Sequence, residues 1–194
     1  MQKLTREDLY SLEEYAGMRD DYRKKIMAHK IDRRLELGEN VLLMFEDRLI
    51  MQYQVQEMLK AEKIFEAAGI EEELGAYNPL IPDGTNWKAT MLIQYPDVEE
   101  RQQKLTQLIG IENTIWMQVE GFDKVYAIAD EDLERDTEEK TSAVHFMRYE
   151  LDDEMIAAAK TGAAISAGVE HENYQAVVSP IAANIRDSLA SDLD

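Results

Sequence analysis

The stretch Val41-Leu42-Leu43-Met44-Phe45, followed at once by a long helical segment from Glu46 to Phe65, decides the fold. Five consecutive apolar residues predict a buried strand, and the residues after them have the 3.6-residue periodicity of an amphipathic helix. Gly38 and Gly69 bound the segment on either side. We therefore expect a strand and a helix at the centre of the core.

Glu62 lies in the middle of the apolar face of that predicted helix. The face consists of residues spaced by three or four positions: Met51, Val55, Met58, Ala61 and Phe65. A buried carboxylate is costly unless it is paired, hydrogen-bonded or protonated. We expect Glu62 and His29 to face the interior, with His29 or Arg48 as the partner of Glu62. The alternatives are a purely structural ion pair, or a helix rotated far enough to expose Glu62.

The composition indicates a soluble globular protein. The 194 residues fit one domain, and 45% are hydrophobic and 31% charged. A formal charge of −19 disfavours nucleic acid and anionic membranes and favours cationic partners. The absence of cysteine excludes disulfides, thiolate metal sites and cysteine nucleophiles. Without an apolar leader or a membrane-length apolar run, the expected compartment is the cytoplasm.

The remaining chain predicts an α+β fold, with a mainly antiparallel sheet of five to seven strands and helices packed on one face. A single domain spans residues 1–194, and its C-terminal tail, 188–194, is expected to fray. The predicted helices run from Thr5 to Gly17, Arg19 to Arg34, 46 to 68, Asp97 to Gly110 and Glu154 to Ala167, with a last one after Pro180. The predicted strands cover a hairpin at 35–45, then Asn86–Tyr95, Thr114–Glu120, Val125–Asp130 and Ser142–Leu151, with a short one in the tail.

The helix from Arg19 to Arg34 is strongly basic. Its cations are Arg19, Arg23, Lys24, Lys25, Lys30, Arg33 and Arg34. One interpretation is an RNA-binding module, because clustered cations bind phosphates. The other is a basic face set against the acidic surplus of the protein itself or of a partner, and the net charge favours this second interpretation.

A stiff loop precedes the clearest strand. Two prolines and a glycine constrain residues 78–86, and Asn78, Asn86 and Lys88 are polar groups on that frame. Rigid loops often carry binding residues, so these three are candidate ligand-binding residues. A connection that only orients the strand is an equally good interpretation.

His29, Glu62 and His145 are the candidate metal ligands. Each interrupts an apolar face of its own element, and two imidazoles with one carboxylate are the ligand set of non-haem iron(II) sites. The residues therefore leave an iron cofactor open, although no Glu-x-x-His motif supports it. Hydrogen-bonded core histidines are the alternative.

Several stretches resemble a family of uncharacterised bacterial proteins, a domain of unknown function. They include Phe45-Glu46-Asp47-Arg48-Leu49, Ala76-Tyr77-Asn78-Pro79-Leu80, Asn86-Trp87-Lys88-Ala89-Thr90 and Thr141-Ser142-Ala143-Val144-His145. Genes of that family often neighbour those of rubrerythrin-like proteins and iron–sulfur oxidoreductases. The resemblance implies a cytoplasmic accessory or binding protein with a redox protein as partner. It supplies no catalytic residues and leaves a homo-oligomer open. The alternatives are a small non-haem iron enzyme using His29, Glu62 and His145, and the RNA-binding module.

Overall fold

Two antiparallel sheets and six helices form one α+β domain in a computed structural model that describes residues 2–133, 135, 137 and 139–194. The strands are β1 Arg34–Leu37, β2 Val41–Phe45, β3 Asn86–Ile93, β4 Ile115–Val119, β5 Val125–Tyr126, β6 Ile128–Ala129, β7 Val144–Glu150, β8 Ile165–His171 and β9 Tyr174–Val178. The helices are α1 Leu12–Ile31, α2 Arg48–Glu62, α3 Ala67–Tyr77, α4 Val98–Gln107, α5 Asp153–Lys160 and α6 Ala183–Ala190. None of the described helices is both long and apolar enough to cross a membrane.

Five strands form one sheet and four strands form the other. One has the order β1-β2-β3-β7-β6 and the other β5-β4-β8-β9. Ala127 alone separates β5 from β6, so the chain passes there from the smaller sheet to the larger. The α+β prediction is confirmed. The prediction of a single sheet is wrong, because the predicted strand 125–130 is divided at Ala127 into β5 of one sheet and β6 of the other.

The main core lies between the sheets. Residues of both sheets and of α5 and α6 share one hydrophobic cluster. Along β3 the inward side chains are Trp87, Ala89, Met91 and Ile93, as the period-two alternation predicted. The indole of Trp87 donates a hydrogen bond to the carbonyl of Leu189 at 2.9 Å. The tail is therefore docked against the core, and the prediction that residues 188–194 fray is wrong.

Two helix predictions are corrected. The predicted break at Gly17 is wrong, because one helix, α1, continues through this glycine, which has open space around it. The predicted outer ends are also wrong: residues 6–8 form a separate 3₁₀ turn, and Arg34 begins β1. The helix predicted over Glu154–Ala167 ends at Lys160. Residues 165–167 instead begin β8, where small side chains let the strand approach its neighbours.

α2 ends before the apolar stripe predicted for it is complete. Lys63 adopts the left-handed conformation, with φ of 57°, and turns the chain away. Ile50, Met51, Val55 and Leu59 are buried, but Phe65 lies beyond the helix end and is 73% exposed. The buried face is thus rotated from the predicted one, and Glu62 is exposed.

Gln56 occupies the buried face in its place. Its carbonyl accepts from the Tyr10 amide at 2.6 Å and its amide donates to the Tyr10 carbonyl at 3.3 Å. This paired amide holds the N-terminal segment against α2, and the pairing removes the cost of burying a polar group.

Candidate functional site

A cleft lies where the outer face of the five-stranded sheet meets the end of α3 and the 3₁₀ turn Asn78–Leu80. We call it the α3–β3 cleft; it encloses about 520 Å³. Its apolar wall is formed by Ala76, Pro79, Leu80 and Phe146, and its charged groups are Glu46, Lys88, Glu131, Asp132 and Arg148. A volume of this size suits a small organic molecule.

Lys88 is the cation of the cleft that lacks a counter-ion. It points outward from β3, and its Nζ donates to the carbonyl of Pro79 at 2.5 Å. Among the described residues, no carboxylate oxygen lies within 4 Å of that nitrogen. Burial has the largest effect on the pKa of Lys88 and lowers it; the nearby charge of Asp83 raises it, and the charge of Arg148, its cross-strand neighbour on β7, lowers it. An ammonium group beside a guanidinium stabilises a bound anion.

Arg148, in contrast, is neutralised by the protein itself. Its guanidinium donates two hydrogen bonds of 2.8 Å to the carboxylate of Glu131 and a third to Glu150. These partners raise the pKa of Arg148 above its ordinary value. The charge of Arg148 therefore repels that of Lys88, while its guanidinium stays bound to Glu131 and Glu150.

Glu46 is the buried carboxyl of the cleft. Its Oε1 accepts a 2.6 Å hydrogen bond from the hydroxyl of Thr90, on the next strand of the sheet. Burial raises its pKa, which favours the neutral form. A protonated carboxyl can donate a hydrogen bond as well as accept one, so Glu46 adds a polar contact to the cleft.

The three predicted ligand-binding residues separate in the structure. Lys88 lines the cleft. The side chain of Asn78 instead accepts from the Leu4 amide at 2.8 Å and donates to the Leu4 carbonyl at 2.9 Å, which ties down the N-terminal segment. Asn86 is buried and donates to Asp83 at 2.8 Å, within the turn before β3. The two asparagines therefore have structural roles, whereas Lys88 faces the cleft.

The three predicted metal ligands are not brought together. Glu62 is exposed at the end of α2 and bonds to neither His29 nor Arg48, so its predicted interior position and partners are wrong. The described residues contain no group of three or more His, Cys, Asp or Glu side chains arranged for a metal ion.

His145 is enclosed, as its position on the apolar face of β7 predicted. Its Nδ1 lies 2.5 Å from Oδ2 of Asp130, and its Nε2 lies 2.8 Å from the hydroxyl of Thr141. This order of groups matches a catalytic triad, but Thr141 is only 1% exposed and is therefore closed to a substrate in this conformation. The contacts tie Asp130, just after β6, and Thr141, just before β7, to the imidazole of His145.

His29 belongs to a buried cluster of charges on the opposite side of α2. Its Nε2 lies 2.5 Å from Oδ2 of Asp47, the residue that caps α2 by accepting from the Ile50 amide. His29 itself is half-buried. Its predicted interior position is thus partly correct, with Asp47 as the partner in place of Glu62.

Arg33 is the centre of that cluster and is only 1% exposed. Its guanidinium binds Asp192 through both terminal nitrogens, the Ser188 hydroxyl at 3.1 Å, and the carbonyls of Phe45 and Glu46 at 3.1 and 3.0 Å. Burial raises the pKa of Asp192 to about 6, although Arg33 lowers it. Sequence periodicity could not reveal this cluster, because its members are up to 159 residues apart.

The other cations of the basic helix are divided between internal partners and solvent. Arg19 binds Glu57 at 2.7 and 2.6 Å, Lys24 binds Asp21 at 3.0 Å, and Arg34 binds Glu36 at 2.7 Å. These pairs agree with a basic face set against the protein's own carboxylates. The RNA-binding module stays a prediction.

Comparisons with known proteins give a family and no activity. The model of a family described as "Protein of unknown function (DUF3501)" matches residues 3–193. A crystal structure of a novel protein of unknown function from Burkholderia pseudomallei K96243, at 1.90 Å resolution, is 47% identical, and the match covers 100% of each chain with a TM-score of 0.93. No curated protein matches.

Proposed function

Because the chain belongs to the DUF3501 family, whose function is unknown, we propose a function from the α3–β3 cleft: the protein binds a small organic carboxylate with an apolar body. The observation that carries this proposal is Lys88. Its ammonium group lines a cavity with apolar walls and has one described acceptor, a backbone carbonyl, in place of a carboxylate. A ligand carboxylate would supply the missing counter-charge.

The charges around Lys88 define the ligand further. Arg148 pairs with Glu131 and Glu150, and Asp132 pairs with Arg135 at 2.7 Å, so these charged groups already have partners within the protein. Lys88 is the charged group of the cleft whose described hydrogen-bond acceptor is a backbone carbonyl. A monoanion matches that one ammonium group, and Glu46, whose pKa burial raises, can donate to an oxygen of the same ligand when it is protonated. The apolar wall then contacts the hydrocarbon part.

The broader role remains part of the proposal. A cytoplasmic accessory protein that works beside a rubrerythrin-like or iron–sulfur partner would use such a site to sense or carry a small acid. The gene neighbourhood suggested by the resemblance supports this role, and no contact of the described residues bears on it. The iron-enzyme alternative stays a prediction, and its three ligands lie apart.

The test compares carboxylates with uncharged molecules of the same shape. Benzoate and hexanoate are titrated against benzamide and hexanamide by calorimetry or by NMR shifts of the residues lining the cleft. We expect each carboxylate to bind at least tenfold more tightly than its amide, because a charge-assisted hydrogen bond contributes about 1.5–3 kcal/mol.

Two matched pairs of variants locate the binding. Lys88→Met should abolish the preference for carboxylates, whereas Lys25→Met, at an exposed lysine of α1, should leave it unchanged. Gly75→Leu places a side chain at the cleft and should block binding, whereas Gly17→Leu should not; neither glycine has another atom within 4 Å of an added Cβ. Equal affinity for acids and amides, or unaltered binding by Lys88→Met, would refute the proposal.

A further inference from the structure

A second surface lies at the C-terminal end of α2, whereas the buried charge cluster lies at its N-terminus. The turn after α2 presents Phe65, which is the most exposed of the large hydrophobic side chains described, at 73%. Lys63 holds that turn in a left-handed conformation that non-glycine residues adopt rarely. An aromatic side chain held outward in this way exposes apolar area that the fold itself does not bury.

A groove of about 520 Å³ opens beside Phe65. Its walls come from the N-terminal segment, from the end of α2 and from the start of α3. The apolar residues along it are Leu9, Leu12, Leu59, Ile64 and Ile70. The groove is therefore an apolar trough between helical elements, which is the shape that receives one face of an amphipathic helix.

The polar residues that line the groove are Arg6, Glu7, Tyr10 and Ser11, and the segment that carries Phe65 is acidic. Residues 60–73 carry five glutamates and two lysines, a net charge of −3. Burial, together with repulsion from Glu62 and Glu72, raises the pKa of Glu73, so both of those carboxylates lie near the carboxylate of Glu73. Within the described part of the chain, none of the three has a cation within 4 Å.

We propose that this groove docks a basic amphipathic helix of a partner protein. Its apolar side chains would occupy the trough and contact Phe65, and its lysines or arginines would neutralise Glu62, Glu72 and Glu73. The charges decide between this occupant and a second copy of the chain, because two copies would place their glutamates against each other in a protein of net charge −19. Interfaces bury aromatic anchors of this kind at their centres.

The probe is a fluorescein-labelled peptide of about 18 residues in which leucine and lysine alternate at helical spacing, with a leucine–glutamate peptide of the same pattern as control. Binding is followed by anisotropy at low and high salt. We expect the lysine peptide to bind, to weaken at high salt because the contacts are electrostatic, and the glutamate peptide not to bind.

Variants separate docking from general attraction to an acidic protein. Phe65→Ser should weaken binding of the lysine peptide at least tenfold, whereas Val177→Ser, at a 61% exposed valine of β9, should change it less than twofold. The triple change Glu62→Gln, Glu72→Gln and Glu73→Gln should remove most of the salt dependence. Equal effects of Phe65→Ser and Val177→Ser would overturn the proposal. So would a homodimer in sedimentation that Phe65→Ser converts to monomer, since the occupant would then be a second copy.

Discussion

Replacing Arg33 by methionine should destabilise the protein by about 3–5 kcal/mol at pH 7.5, because removal of one partner leaves buried charge uncompensated. Asp192 would lose both of its contacts with the guanidinium, and Asp47 would lose a cation 3.4 Å away. The carbonyls of Phe45 and Glu46 would lose their side-chain donor. Methionine fills much of the same volume, so the loss measures charge more than packing.

The loss should depend on pH. The pKa of Asp192 is about 6 in the fold, against an ordinary value of 3.8. A raised folded-state pKa means that ionisation of Asp192 lowers stability as pH rises from about 4 to 6, by about 3 kcal/mol in total. Because Arg33 lowers that pKa, its removal raises the pKa further and increases the cost of ionisation. At pH 5 the carboxyl is largely protonated, and the loss should be smaller by at least about 1 kcal/mol.

Urea denaturation at both pH values measures these differences, with the fluorescence of the buried Trp87 as one probe. Arg34→Met is the matched control, because the neighbouring Arg34 is half exposed and pairs only with Glu36. It should change stability by less than about 0.5 kcal/mol. Adding Asp192→Leu to Arg33→Met should recover part of the loss. A loss below about 1 kcal/mol for Arg33→Met, or one that is identical at pH 5 and 7.5, would show that the cluster is not a compensated charge network.

Three further outcomes follow from single residues. Tyr149→Phe should leave stability unchanged or raise it by up to about 1 kcal/mol in urea denaturation, because the buried hydroxyl of Tyr149 has no described hydrogen-bond partner; a large loss would contradict this. Gly168→Ala should destabilise by more than about 1 kcal/mol, because the added methyl would lie 2.5 Å from a tryptophan ring and 2.8 Å from a backbone oxygen, whereas Gly17→Ala, in the open on α1, should stabilise by about 0.5–1 kcal/mol. In an NMR titration of ¹³C-dimethylated protein, the pKa of Lys88 should lie below the ordinary lysine value of 10.5. Arg148→Met should raise this pKa, because it removes a repulsive charge and releases two carboxylates. An unchanged pKa in that variant would show that Arg148 does not lower the pKa of Lys88.

The parts of the fold that sequence could predict are those with strong periodicity. Residues 86–95 alternate cleanly, and β3 with its buried face follows directly. Small residues do not discriminate in this way: the segment predicted as helix up to Ala167 becomes β8, because Gly168 accepts the close approach of Trp116. Tertiary packing decided that segment, since its local preference was weak.

The candidate site residues also divide into those that a local sequence pattern could predict and those that it could not. Lys88 could be found because it follows a turn stiffened by prolines and faces away from the core. Glu62 and Phe65 could not be placed, because the periodicity continues past the point where Lys63 ends α2 in a conformation unusual for lysine. Asp192, as the partner of Arg33, was also hidden, since no local pattern reports a contact across 159 residues.

That long-range contact bears on how the chain is made. A ribosome delivers residues in order, and α1 and β1 emerge long before α6. Throughout most of synthesis Arg33 has no Asp192 to bind, and the indole of Trp87 has no Leu189 carbonyl to meet. Until α6 is made, the core is therefore incomplete, and polar groups such as the Arg33 guanidinium must form their hydrogen bonds with water or with a chaperone. We expect the domain to complete its fold in a single late event, in which α6 packs onto the core and Asp192 pairs with Arg33.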